Sequence, residues 1–305
     1  MESAQTIASR AVASAYVGRF APSPTGPLHF GSLVTAVASY ADARAAKGRW
    51  LLRIEDVDRP RCSNHAEIEI LSQLAAYGFE HDGEIVRQSE RDEHYDAALT
   101  RLAKAQCLFA CTCTRKQLEY VTRNREGEIV YPGTCRNRTE RPAVAHALRI
   151  LVPPLPEADV TLADRANGIV TQNLATDVGD FVLRRADGLY AYQLAVVVDD
   201  ALQGVTHVVR GEDLLLNTPR QIFLQRLLAY PSLVYMHVPL VRNAVGEKLS
   251  KQTRAPAISM DDVLRTLHRA WAFLKQPPIG RVDTTAAFWQ RAAEVWTPSL
   301  LRLRN

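Results

Sequence analysis

The chain has 305 residues, 37 Lys and Arg against 33 Asp and Glu, a formal net charge of +4 and 47% hydrophobic residues. That composition excludes a disordered chain and supplies enough apolar surface for one large domain or two ordinary ones. Apolar runs such as Leu194–Val198 stop well short of the roughly 18–20 residues of a membrane span, and +4 is too small for a general polyanion binder. The basic residues are 31 Arg and 6 Lys, a bias that suits bidentate recognition of phosphate and carboxylate and that a GC-rich genome would equally produce.

In chain order, residues 1–15 form an Ala/Ser-rich stretch with no basic segment leading into an apolar one, so they read as a frayed extension rather than a secretion signal, and a cytoplasmic location is expected. Tyr16–Phe20 reads as a short strand, Ala21–Pro27 as a Pro/Gly-rich turn, and Ser32–Lys47 as a helix with Leu33, Val37, Tyr40 and Ala41 at helical spacing. A stiff loop entering a helix can aim backbone N–H groups and the helix's positive end at an anion. Gly31 would let a flat group approach the backbone, and His29 can donate to a phosphate oxygen; the plain alternative is a connecting loop. Arg49–Asp56 alternates as a strand, with Trp50, Leu52 and Ile54 on one face and Leu51, Arg53 and Glu55 on the other. Strand, turn, helix, strand is the start of a nucleotide-binding α/β fold. Asn64 with Glu67 reads as a capping box for a helix burying Ile68, Leu71 and Leu74, and Ser89 as the cap of a helix burying Tyr95, Leu99 and Leu102.

From Cys107 to Pro154 the periodicity weakens, and Arg115–Arg141 carries seven basic residues against four acidic, so an insertion is expected. Cys111, Cys113, Tyr131 and Cys135 bring three thiols and a phenol, enough for a tetrahedral zinc site. The C-x-C spacing is tighter than that of a zinc ribbon, which leaves buried thiols as the alternative, and Cys107 or His146 can stand in for Tyr131 as fourth ligand. Such a metal would be structural. Strand alternation returns at Phe181–Arg185 and Leu189–Val198 around an Asp187-Gly188 turn, then a strand at Thr206–Arg210 and a helix at Pro219–Ala229 capped by Asn217 or Thr218. Gly246–Gln252, GEKLSKQ, puts Lys248 and Lys251 three apart on a loop, where they can meet a polyphosphate or simply solvent. A helix at Asp261–Leu274 and an Arg/Trp-bearing tail complete the chain. The expected division is a tail at 1–15, halves of a catalytic domain at 16–106 and 155–240, an insertion at 107–154, and a lysine loop with a helical region at 241–305.

The loop RFAPSPTGPLHFGS, Arg19–Ser32, is similar to the signature of class I aminoacyl-tRNA synthetases of the glutamyl type, with HFGS in place of HIGH, and KLSKQ resembles their KMSKS loop. The resemblance continues in order through RIEDVDRPR, QSERDEHY, the stretch Tyr192–Gln221 and HVPLV, covering about residues 17–254. It implies an α/β class I synthetase fold: a Rossmann-type parallel sheet with a zinc-bearing insertion of C-x-C…Y-x-x-x-C pattern, and a small, mostly helical C-terminal part without an anticodon-binding domain. It also implies that ATP and glutamate condense to an adenylate, which a tRNA hydroxyl then attacks. His29 and the Gly31 backbone would hold the ATP phosphates, Lys251 with Lys248 would neutralise the departing pyrophosphate, and Mg2+ would arrive with ATP. The glutamate pocket would comprise Arg19, Phe20, Ala21, Pro22, Ser23, Glu55, Tyr192 and Arg210, which supply guanidinium groups for two carboxylates, an acceptor for the amine and a phenol to orient it. Ser32 and Gln252 depart from the two signatures, so a modest change in ATP handling is expected. Only 54 residues follow Lys251, so the chain resembles a shortened branch of the family whose acceptor is the queuosine base at the wobble position of tRNA(Asp). A monomer is expected. The rivals are a shortened synthetase charging a tRNA 3′ end and a non-catalytic RNA-binding paralogue.

Overall fold

The computed structural model describes residues 15–138, 140, 142–243, 246–249 and 255–301. All but the last residue of the expected N-terminal tail therefore lies outside the described residues.

Strand β1 (Val17–Phe20) leads through the Pro/Gly-rich loop into helix α1 (Phe30–Ala45). The helix starts two residues before Ser32 because His29, with an extended backbone, is its N-cap: the His29 Nδ1 accepts the Ser32 N–H at 3.2 Å. Leu33, Val34, Ala36, Val37 and Ala38 are fully buried, as befits a helix that is apolar nearly all round and runs through the middle of the molecule. Strand β2 (Arg49–Ile54) pairs parallel with β1, Val17 opposite Arg49, and both of its faces are buried, so Arg53 and Glu55 belong to an interior layer.

Helix α2 (Asn64–Ala76) is capped by Ser63, whose Oγ accepts the Ala66 N–H at 3.2 Å, rather than by Asn64, and Glu67 instead pairs with Arg87. Its buried stripe is Ala66, Ile70, Gln73 and Leu74; Ile68 is 63% exposed, because two residues at 100° each carry it to the far side from Ile70. Strand β3 (Val86–Arg87) pairs parallel with β2. Helix α3 (Asp92–Lys104) begins after a single 3₁₀ turn, so Ser89 does not cap it, while Tyr95, Leu99 and Leu102 are buried as their spacing predicts.

Strands β4 (Leu108–Cys111) and β5 (Ala147–Ile150) pair antiparallel. An unanticipated hairpin follows, β6 (Asp159–Asp164) and β7 (Gly168–Asn173), then the short α4 (Leu174–Asp177) and β8 (Val182–Arg184). β8 pairs with β5, so the small antiparallel sheet joins the region around the cysteines to a strand well beyond residue 154.

The strand expected at Leu189–Val198 is instead mostly helix α5 (Tyr192–Leu202). A short run of β-branched residues favours a strand by local propensity, but this run is buried on every side, and burial overrides propensity. The helix also presents two buried aspartates to different neighbours. Asp199 accepts from Gln88, Arg91 and Tyr95, and Asp200 pairs with Arg19 and Arg53. Strand β9 (His207–Gly211), helix α6 (Thr218–Leu227, with Pro219 in its first turn) and strand β10 (Val234–Val238) follow.

Two parallel half-sheets result: β3–β2–β1, and β9–β10–β6 with β7 antiparallel at its edge. They meet where Thr206 donates its N–H to Val17 O and accepts the Val17 N–H on Oγ1, both at 2.9 Å. Here the strand order changes direction, and the carboxyl ends of β1, β2 and β9 open onto one crevice, the place where open α/β sheets bind ligands.

Helix α7 (Val263–Phe273) forms where a helix was expected at Asp261–Leu274, and helix α8 (Thr285–Val295) puts core structure in the Arg/Trp-bearing tail. Trp289 packs on Tyr40 and Phe79 with centroids at 4.7 and 4.8 Å, and the Trp296 Nε1 donates to buried Asp42 at 2.8 Å. Each fully buried large apolar side chain of this kind contributes about 1.5–3 kcal/mol, so these helices hold α1 against the sheet. Among the described residues no helix is long and apolar enough to cross a membrane.

Candidate active site

The crevice contains a cavity of about 390 Å³ lined by Arg19, Phe20, Ala21, Pro22 and Ser23 from the end of β1 and its loop, Glu55 from the end of β2, Tyr192 from the start of α5, and Arg210 from β9. All eight residues named from the sequence as the glutamate pocket thus lie on one cavity. A hydrogen bond from the Glu55 N–H to Pro22 O, 3.0 Å, ties the loop to the end of β2.

The charged groups are buried and hydrogen-bonded, as a low-dielectric interior requires. On the β1–β2 side Asp200 Oδ1 lies 3.1 Å from Arg19 Nε and 2.8 Å from Arg53 Nη2, and Arg53 also meets Glu55 at 3.2 Å. Burial pushes the Asp200 carboxyl up, but Arg19 and Arg53 outweigh it and hold the group below its ordinary value. For Glu55 burial wins over Arg53 and Arg19, and its pKa is raised. On the β9 side Arg210 donates to His237 Nε2 (3.1 Å), the Tyr192 hydroxyl (3.2 Å) and Thr218 Oγ1 (2.8 Å). Burial raises the Tyr192 phenol, so it remains a protonated donor at neutral pH.

A second recess of about 150 Å³ adjoins the first and shares Ser32, Thr35, Gly211 and Lys248 with it; His29 and Gly31 line it. His29 accepts the Ser32 N–H on Nδ1, which puts its proton on Nε2, 3.1 Å from Ser32 Oγ. The serine at the variant signature position therefore engages the histidine it follows. A Cβ on Gly31 would lie 3.1 Å from the His29 ring and 3.6 Å from the Leu249 carbonyl, so glycine keeps the ring and the lysine loop close. Lys248 pairs with Asp213 at the edge of the recess. Lys251 and Gln252 lie outside the described residues.

Away from this crevice, the Sγ atoms of Cys111, Cys113 and Cys135 lie within 4.8 Å of one another. Cys113 and Cys135 are 3.6 Å apart, and the Tyr131 hydroxyl sits 3.4 Å from Cys111 and 3.7 Å from Cys113. Tetrahedral zinc with Zn–S near 2.3 Å needs S···S edges of about 3.8 Å, so the donor set fits. Burial and the hydrogen bond with Cys111 raise the Tyr131 phenol, and the Arg149 guanidinium lies 3.9 Å over its ring. Burial also acts to raise Cys135, but hydrogen bonds from the Thr112 backbone and Tyr131 outweigh it and bring the thiol to about 7. Neither Cys107 nor His146 joins the group: Cys107 donates to Ala105 O, and His146 lines a separate cavity between α3 and the antiparallel sheet.

Sequence reasoning missed Asp200 as the carboxylate behind Arg19, and Asp164, Thr218 and His237 behind Arg210. HVPLV marked His237 only as part of a motif, and the inward alternation of Val160, Leu162 and Asp164 was a usable signal for β6.

Two buried arginines, Glu55 and Tyr192 thus share a crevice at the strand ends beside the recess lined by His29 and Gly31, and comparison with known proteins shows the class to which that crevice belongs. The family model for tRNA synthetases class I (E and Q), catalytic domain, matches residues 16–276, and the chain belongs to that family of ligases. Within it the chain stands with proteins named glutamyl-Q tRNA(Asp) synthetase. It is 58% identical to the one from Thiobacillus denitrificans over 90% of both chains, and 53% identical to the one from Dechloromonas aromatica over 93% of this chain and 95% of that protein. The glutamate tRNA ligase of Elizabethkingia meningosepticum, solved in complex with its amino acid, superposes with a TM-score of 0.67 at 28% identity over 78% of this chain, which spans about half (52%) of that ligase's length.

Proposed function

We propose that the protein activates glutamate with ATP and transfers it to the queuosine base at the wobble position of tRNA(Asp). The observation that carries this reading is the pair of adjoining recesses at the strand ends, one with two buried guanidinium groups, Glu55 and Tyr192, the other with His29, Gly31 and Lys248. The names of the relatives supply the acceptor.

In the first step a glutamate carboxylate oxygen attacks the α-phosphorus, the bond to the bridging oxygen breaks, and pyrophosphate leaves with the electron pair. Arg19 and Arg210 bind the substrate carboxylates, Glu55 accepts from the ammonium, and His29 with the lysine loop meets the charge that develops on the phosphates. In the second step a hydroxyl of the queuosine cyclopentenediol attacks the activated carbonyl carbon, loses its proton, and AMP departs, leaving an ester. No covalent protein nucleophile is required, since positioning and charge stabilisation suffice. Mg2+ enters with ATP, held mainly by the nucleotide's phosphates.

Cys111, Cys113, Tyr131 and Cys135 hold one structural zinc in this reading, and the exposed basic residues beside it, among them Arg115, Lys116 and Arg125, contact the tRNA. The protein acts as a cytoplasmic monomer.

Labelled glutamate, ATP and tRNA(Asp) with and without queuosine test the reading. Attachment to queuosine-containing tRNA alone supports it. Equal attachment to both forms assigns the acceptor to the tRNA 3′ end, and attachment to neither makes the chain an RNA-binding paralogue.

A further inference from the structure

Arg210 carries five N–H donors. Three are engaged, by His237, Tyr192 and Thr218, which leaves one N–H on each terminal nitrogen for a bidentate carboxylate. The acceptor behind its Nε is an imidazole rather than a carboxylate. His237 is 1% exposed, and its Nδ1 lies 2.6 Å from Asp164 Oδ2. Asp164 in turn accepts the backbone N–H groups of Ala166, Asn167 and His237. A carboxylate acceptor on that side puts the ring proton on Nδ1 and leaves Nε2 bare, the tautomer that can receive the Arg210 Nε–H.

We propose that Asp164 and His237 are positioning residues that aim Arg210 at the substrate carboxylate without cancelling its charge. The proposal rests on the reading of Arg210 as a carboxylate-binding group. A carboxylate placed directly on Arg210, as Asp200 is on Arg19, would hold the guanidinium equally well but would lower the positive potential facing an anionic substrate. A neutral imidazole sets the negative charge one side chain further back.

The arrangement works only while His237 is neutral. The groups that face it are Asp164 from β6, Arg210 from β9, Thr218 from α6 and the stacked Tyr235 ring on its own strand, with Arg19 acting from further off. Burial first, and then the arginines, oppose a proton, against Asp164, and the pKa lies below the ordinary 6.5. Acid that does protonate Nε2 sets an N–H against the Arg210 Nε–H, and the guanidinium turns away. Glutamate affinity therefore falls through an acid limb below pH 6.5.

Glutamate-dependent ATP–pyrophosphate exchange on the full chain tests this. In His237→Leu the KM for glutamate rises roughly 10- to 100-fold, the weight of a hydrogen bond to a charged group, while the KM for ATP stays unchanged. His237→Gln returns an uncharged acceptor near the Nε2 position, recovers most of that loss and abolishes the acid limb. A folded His237→Leu with unchanged glutamate KM, or with both KM values raised alike, overturns the proposal. If His237→Leu does not fold, His237→Gln decides alone, and an acid limb retained there overturns it. Arg210→Gln separates the levels: an unchanged glutamate KM in that variant removes the pocket reading itself, whereas a raised KM there with none in the His237 variants removes only the positioning role.

Discussion

The two arginines of the cavity face the same space but are held by different chemistry. On the β1–β2 side, Arg19, Arg53, Glu55 and Asp200 form a closed ion network in which each guanidinium touches a carboxylate. On the β9–β10 side, Arg210 touches only uncharged partners among the described residues, and its counter-charge, Asp164, stands behind His237. The first arrangement joins β1, β2 and α5 and gives the crevice its shape. The second leaves a guanidinium with its charge available to a ligand. Both guanidinium groups are proposed to meet a substrate carboxylate, but Arg19 also ties its wall together through Asp200, whereas Arg210 keeps its charge uncancelled.

Removing the hub of the first network has the largest expected effect on the fold. Asp200→Ala leaves Arg19 and Arg53 buried without their shared carboxylate, which costs about 3–5 kcal/mol, read as a lower urea midpoint; an unchanged midpoint would erase the contrast between the walls. On the second wall the effect belongs to activity. Arg210→Ala lowers kcat/KM for glutamate in pyrophosphate exchange roughly 100- to 1,000-fold, in line with the 2–5 kcal/mol of a truncated buried charge contact, with a smaller shift in the urea midpoint. Near-normal exchange in that variant would take Arg210 out of the pocket.

A third kind of site, built of soft donors, extends the comparison. Cys135→Ser is expected to lose the bound zinc, measured by elemental analysis of the purified protein, and to lower thermal stability; full zinc retention would reject the ligand set.

Acid acts on the carboxylates of both walls, since the folded pKa of Asp164 also lies below the ordinary 3.8. Asp200, like Asp42 at the foot of α1, has a folded pKa below the ordinary 3.8. Each such group contributes stability that is present above 3.8 and is lost as pH falls through the lower folded value. Unfolding followed by circular dichroism should therefore begin below that pH, and less steeply in Asp200→Asn. The smallest effect is expected at Gly31→Ala, whose Cβ meets the His29 ring at 3.1 Å. A nudge of that size should raise the KM for ATP by about 3- to 10-fold and leave that for glutamate alone.

The groups that line the two recesses were legible because they lie in local motifs: Arg19–Ser23 and His29 in one loop, Glu55 at a strand end, Tyr192 and Arg210 in one stretch. The groups that hold them were not. Asp200 is 181 residues from Arg19 and Asp164 is 73 from His237, so their pairing exists only after the half-sheets assemble. The misread α5 has the same origin. Its β-branched run is decided by burial between α3, α6 and β8, which local propensity does not register. β10 is hidden in the sequence because HVPLV covers only its last two residues, although Tyr235 and His237 point to opposite sets of neighbours from Met236.

The account turns on a pocket that counts carboxylates, and amino-acid selectivity in ATP–pyrophosphate exchange measures this most directly. Two guanidinium groups matched to two carboxylates predict that glutamate supports exchange and that glutamine, with an uncharged amide in place of one carboxylate, is poorer by roughly 100-fold or more. Equal exchange with glutamate and glutamine would contradict it.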